Sequence, residues 1–210
     1  MKTKYPEVNV GWVKLLTLVL LAASALLMTS CDDEDPEKED VPELITKVTL
    51  TFTPVGGSSP TVTATATDPD GEGVNDLAVD GPINLASTNT YVLTIGLTNE
   101  LANPGENGFD VAEEVEEEGD EHMFFFGWTG EVFFIPDGNG NIDNRADEVS
   151  YQDEDENGLP LGLITRWTTS TASSGNFRVI LKHQPGVKTA TSDANTGETD
   201  VDVTFVINVN

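Results

Sequence analysis

Residues 44–53 read LITKVTLTFT, which puts Val48, Leu50 and Phe52 on one side of an extended chain and Thr49, Thr51 and Thr53 on the other. A strict period of two marks a strand with one face in a core and one in water. Gly56-Gly57-Ser58-Ser59-Pro60 then turns the chain into Val62, Ala64 and Ala66, which alternate with Thr61, Thr63, Thr65 and Thr67, so the two segments are expected to pair as a hairpin. The alternation returns at Tyr91, Leu93, Ile95 and Leu97, at Leu161, Leu163, Thr165 and Trp167, and at Phe177, Val179 and Leu181. The chain closes on Val201, Val203, Phe205, Ile207 and Val209, facing away from Asp200, Asp202, Thr204 and Asn208. So regular an apolar strand belongs inside a sheet or under cover, because at an exposed edge it would recruit other chains.

Two segments depart from this alternation. His122–Trp128 (HMFFFGW) and Glu131–Ile135 (EVFFI) are apolar on both faces across Thr129-Gly130, which predicts a buried hairpin. Asp110–Gly119 combines an N-cap Asp110, Glu113 at the third helical position, Val111 and Val115 four apart and a Gly119 stop, the pattern of a short helix. Its last turn carries Glu116, Glu117 and Glu118 where the helix dipole favours cations, so it needs a positive group nearby. Short strands with Gly, Asn and Pro turns, not interleaved with long helices, imply an all-β fold: one antiparallel, immunoglobulin-like β-sandwich over residues 43–210, with one short acidic helix.

Charge excludes whole classes of function. The 210 residues hold 37 Asp and Glu against 10 Lys and Arg, a formal net charge of -27, which a nucleic-acid backbone would repel. The lone cysteine, Cys31, allows neither an internal disulfide nor a multi-cysteine metal site. Lys2, Lys4 and Lys14 precede Leu15–Leu27, thirteen residues and short of the roughly 20 that span a bilayer, so residues 1–30 read as a signal peptide. Leu27-Met28-Thr29-Ser30-Cys31 resembles the lipobox of a bacterial lipoprotein, which implies cleavage after Ser30 and acylation of Cys31; the alternative is an ordinary cleavage nearby that leaves a free thiol. Residues 31–42, with the acidic run Asp32–Asp40 broken by Pro36, form a solvated tether. A cysteine followed at once by acidic residues resembles the surface-export signal of Bacteroidota lipoproteins, which implies the outer face of the outer membrane, the other possibility being its periplasmic face.

Candidate ligands concentrate in one place. Asp110–Glu121 holds eight acidic residues and runs into His122, one of only two histidines. If the helix continued past Gly119, Glu118 and His122 would share a face; if a strand starts there, Glu121 flanks His122 instead. His183 follows Phe177, Val179 and Leu181 by period two and so ends a strand near the sandwich rim. Two imidazoles with Glu118 or Glu121 suit zinc or copper. The competing reading makes His122 a surface residue and His183 a hydrogen-bonded rim residue. For calcium, Asp153, Asp155, Asn157 and Gly158 match the first half of an EF-hand loop, but Pro160 and Ile164 occupy positions eight and twelve, so its bidentate Glu is missing. Asp137, Asn139, Asn141 and Asp143 repeat the alternating oxygens, and both stretches also read as plain acidic turns. Trp128, Tyr151 and Trp167 are the aromatics that could stack a sugar. No G-x-S-x-G, H-E-x-x-H or phosphate loop occurs, so a non-catalytic protein is expected.

The stretches VTLTFTPVGG, EEVEEEGDEHMFFFGW, ENGLPLGLITRW and LKHQPGVKTATSDANTGETDVDVTFVINV together resemble a group of short Bacteroidota surface lipoproteins. The resemblance implies an accessory of a TonB-dependent outer-membrane receptor. Some members carry the label of the type 1 periplasmic binding fold superfamily, a pair of α/β lobes, whereas the residue pattern here implies strands throughout. A calcium-stabilised structural or adhesive module is the rival expectation.

Overall fold

Among the residues that the computed structural model describes, 43–68, 71 and 77–210, ten strands and one helix form two packed sheets. The expected signal peptide, Cys31 and the whole tether lie outside them. The strands are β1 (Lys47–Pro54), β2 (Val62–Thr67), β3 (Ala78–Val79), β4 (Ile83–Leu85), β5 (Thr90–Thr98), β6 (His122–Trp128), β7 (Phe133–Ile135), β8 (Ile164–Thr169), β9 (Ser173–His183) and β10 (Glu198–Val209), with helix α1 (Val111–Glu117) between β5 and β6. One sheet runs β3-β2-β1-β5-β8-β7 and the other β4-β10-β9-β6. Every pairing is antiparallel except that of β10 with β4. The fold is an all-β sandwich.

The alternating residues face each other across it. Val48, Leu50 and Phe52 of β1 and Tyr91 and Leu93 of β5 are buried, as are Phe177, Val179 and Leu181 of β9 and Val201, Phe205 and Ile207 of β10. Trp167 sits among four aromatic rings, with centroids 4.7 Å from Phe133, 5.2 Å from Trp128, 5.2 Å from Phe177 and 5.5 Å from Phe126. Trp128 and Trp167 are therefore core side chains, not a sugar platform. β1 pairs with β2 as the expected hairpin, and β10 lies between β4 and β9, inside its sheet.

The hairpin expected between HMFFFGW and EVFFI does not form, because β6 and β7 belong to different sheets. Thr129 N–H donates to the Asn176 carbonyl and Asn176 N–H to Thr129 Oγ1, each at 3.0 Å, so the chain stays on β9 through Thr129. Gly130 and Glu131, both at positive φ, then carry it to the opposite sheet. A Cβ on Gly130 would run into the Ser174 carbonyl oxygen. In β7 only Phe133 is buried; Phe134 and Ile135 are exposed. β6 is apolar on both faces for another reason. Phe124, Phe126 and Trp128 enter the main core, while Met123 and Phe125 join Ile180 in a second cluster under Ile142, Tyr151 and Ala194. Its outer edge is closed by a loop, since Asn141 N–H donates to the Phe126 carbonyl (2.9 Å) and Trp128 N–H to the Asn139 carbonyl (3.0 Å). No apolar strand edge is left open there.

Candidate metal centre

The turn between α1 and β6 builds the site. α1 buries Val111 and Val115, and its Asp110 cap makes no side-chain hydrogen bond. The helix stops before Glu118, whose N–H still reaches the Glu114 carbonyl at 2.9 Å, and Glu121 N–H closes the turn on the Glu118 carbonyl at 2.8 Å. The cation that the acidic helix end requires is Lys188. Its ammonium donates to the Gly119 carbonyl at 2.6 Å and pairs with Asp155 Oδ2 at 2.8 Å, both side chains fully shielded from water. Burial pushes the Lys188 ammonium down against the pull of Asp155. Burial alone would raise the Asp155 carboxyl, but Lys188 and the Leu159 and Asn157 N–H groups outweigh it and hold it below the ordinary carboxylate range.

β6 pairs with β9 so that His122 lies directly opposite His183. Side chains opposite each other on one face of an antiparallel pair touch, and these imidazoles stack with centroids 4.6 Å apart and planes 5° from parallel. His122 is fully buried rather than on the surface, and His183, at the end of β9, is 5% exposed. Glu118 joins them: one ligand atom from each of Glu118, His122 and His183 lies within 4.8 Å of the others. This buried group can hold a metal ion. Among the described residues no second group of three His, Cys, Asp or Glu side chains comes so close. Glu118 reaches the histidines although the helix does not continue past Gly119.

The ring atoms have defined neighbours. His122 Nδ1 lies 3.1 Å from the Glu118 carbonyl oxygen, which can only accept, so Nδ1 carries a proton and, in the neutral ring, Nε2 the lone pair. Glu121 Oε2 lies 3.4 Å from His183 Nε2, so Glu121 flanks His183 rather than His122. Asp200 Oδ2 stands 3.9 Å from His122 Nε2 with its side chain fully buried. The period of two points Asp200 outward, and the structure turns it inward. The register of β10 on β9 shifts between Thr199 and Val201, a β-bulge that lets Asp200 and Val201 both face the interior. Burial raises the Asp200 carboxyl to about 6 despite the opposing pull of His183 and Lys182. Glu43 is raised to about 7 by burial, then by the charge of Glu114 and a hydrogen bond with it, and by Asp200. Neither Asp200 nor Glu43 stands out in the sequence as a site residue.

The residues considered for calcium have other work. Asp153 accepts the Gly162 and Ile164 N–H groups, each at 2.9 Å, and Asp155 Oδ1 accepts those of Asn157 and Leu159 at 2.9 and 2.8 Å. The cation of this loop is the Lys188 ammonium. Asn141 is fully buried, accepting from Phe126 N–H at 3.0 Å and donating to the Tyr151 hydroxyl at 2.8 Å, so it serves the closure of β6. Tyr151 in turn donates to the Phe124 carbonyl at 2.6 Å. Asp137 accepts the N–H of Gly138 at 2.9 Å, Asn139 contributes its carbonyl to Trp128, and Asp143 interacts with Arg178.

Comparison with protein-family models, with curated proteins and with solved structures finds no match, so the functional reading rests on the chemistry of these residues.

Proposed function

We propose that this chain is a non-catalytic binding protein that takes up a transition-metal ion, zinc or copper, between Glu118, His122 and His183. Acyl chains on Cys31 hold it in the outer membrane with the sandwich at the cell surface, where it serves a TonB-dependent uptake receptor. The observation that carries the metal reading is the mutual approach of three ligand atoms to within 4.8 Å in a group whose two imidazoles are buried. Neutral imidazole with carboxylate is a ligand set for borderline ions such as Zn²⁺ and Cu²⁺. The anchor and the receptor rest on the lipobox-like segment and on the family resemblance. Calorimetry of the full chain in detergent with Zn²⁺ should saturate near one equivalent and survive moderate salt, and His122→Ala or His183→Ala alone should remove most of the affinity. Diffuse uptake that either variant leaves unchanged would end the metal reading. Co-purification from solubilised membranes tests the receptor.

A further inference from the structure

We propose that Asp200 is the fourth protein ligand of this centre, completing a closed site of two imidazoles and two carboxylates, matched to a divalent transition ion such as Zn²⁺. The inference rests on the metal reading above and goes beyond it in ligand, coordination and ion charge. It starts from a polar group without a hydrogen bond. The Asp200 side chain is fully buried, and neither carboxylate oxygen accepts a hydrogen bond. Lys182, whose charge acts on Asp200, donates its Nζ instead to Thr199 Oγ1 at 2.7 Å. Buried carboxylates are ordinarily hydrogen-bonded, ion-paired or metal-bound, so an exception needs a cause.

Distance supplies the second argument. The 3.9 Å between Asp200 Oδ2 and His122 Nε2 is too long for a hydrogen bond. Two ligand atoms on one tetrahedral zinc ion, each about 2.0–2.2 Å from the metal, stand about 3.3 Å apart. The gap is thus wider than direct contact and close to that produced by an ion lodged between the two atoms; Asp200 stands outside the 4.8 Å group of Glu118, His122 and His183, so its carboxylate has to swing toward them as the ion enters. The nitrogen facing Asp200 is also the right one, because the Glu118 carbonyl holds the proton of His122 on Nδ1 and leaves Nε2 to donate its lone pair.

Backbone construction supports the assignment. A bulge at Thr199/Val201 costs one ladder register and has one clear result, the inward turn of an aspartate in a strand that otherwise alternates. Charge then selects the ion. Two carboxylates balance a divalent cation and leave no net charge in the interior, whereas Cu⁺ would leave an uncompensated negative charge. Four protein ligands also leave no open position for water, so the centre holds an ion rather than activating one. Glu121, 38% exposed and next to His183 Nε2, is a positioning residue for that ring.

The test uses the full chain in detergent with Zn²⁺ and Co²⁺ as probes. The parent should bind one Zn²⁺ and give the intense visible absorption of four-coordinate Co²⁺. Asp200→Asn should bind Zn²⁺ at least 100-fold more weakly and lose the intense band, while Glu121→Gln keeps the band with a smaller loss of affinity. The metal-free Asp200→Asn chain should melt above the metal-free parent, because it no longer buries a bare carboxylate. Unchanged Zn²⁺ affinity and Co²⁺ spectrum in Asp200→Asn would overturn the fourth ligand while leaving the Glu118, His122 and His183 centre standing. No saturable Zn²⁺ binding by the parent would overturn both. Should Asp200→Asn fail to fold, the parent decides: a weak six-coordinate Co²⁺ spectrum refutes a closed site.

Discussion

Replacing Lys188 by Met should destabilise the fold more than any other single change of a surface-type residue in this chain. The Lys188 and Asp155 side chains are both fully shielded, and the ammonium has two partners, Asp155 Oδ2 and the Gly119 carbonyl. Methionine keeps most of the aliphatic stem and removes only the charge. Oδ1 of Asp155 retains the Asn157 and Leu159 N–H groups, but Oδ2 is left in the interior with its cation gone. Breaking a buried pair by removing one partner costs about 3–5 kcal/mol. The Gly119 carbonyl would keep only the long 3.4 Å bond from His122 N–H, which argues for the upper half of that range. For a domain of this size the loss corresponds to a fall in melting temperature of about 8–20 °C. Urea unfolding followed by fluorescence of the buried Trp128 and Trp167 measures it directly. Adding Asp155→Asn removes the stranded charge while keeping an oxygen for the two N–H groups, so the double variant should recover at least half of the loss. A cost below about 1 kcal/mol for Lys188→Met would refute the reasoning, because it is the value expected of a solvated surface pair.

Asp200 and Glu43 hold their protons up to about 6 and about 7 in the fold, against 3.8 and 4.5 for the free groups, so between about pH 4 and 7 the folded chain binds more protons than the unfolded one. Metal-free protein should therefore melt higher at pH 5 than at pH 7.5, and Asp200→Asn should flatten that rise; a parent that melts lower at pH 5 would contradict the direction of both shifts. Metal competes with the same protons, so the gain in melting temperature from added Zn²⁺ should shrink over the same acidification. Trp167→Ala empties the centre of the aromatic cluster and should cost about 3–5 kcal/mol by urea titration. Cys31→Ala should move the chain from the membrane to the soluble fraction, and mass spectrometry of the parent should find an acylated N-terminal cysteine; an unmodified Cys31 would remove the anchor from the proposal.

Period-two alternation was enough to read β1, β2, β5, β9 and β10, because each packs one face on a single core and local pattern coincides with burial. It misled at HMFFFGW and EVFFI for a physical reason. A segment apolar on both faces needs two covers, but its composition does not say what supplies them; for β6 the second is Ile142, Tyr151 and Ala194, while for β7 there is none over Phe134 and Ile135. The site divides along the same line. His122 and His183 were legible as candidates because the chain has only two histidines, but their facing register was not, since HMFFFGW was expected to pair with EVFFI and pairs with β9 instead. Of their carboxylate partners, Glu118 was legible only as one of a pair with Glu121, and Asp200 not at all, since among 37 acidic residues the residue type carries little information. Glu118 is singled out only by a turn that ends α1 one residue earlier, and Asp200 only by a bulge. That bulge is the decisive case. A shift of one residue in a ladder reverses which face a side chain serves, so the alternation that locates Val203 and Phe205 in the core assigns Asp200 to solvent. A buried carboxylate found where the pattern demands an exposed one is held there by tertiary structure against its own preference for water, and an ion between it and His122 would offset that cost.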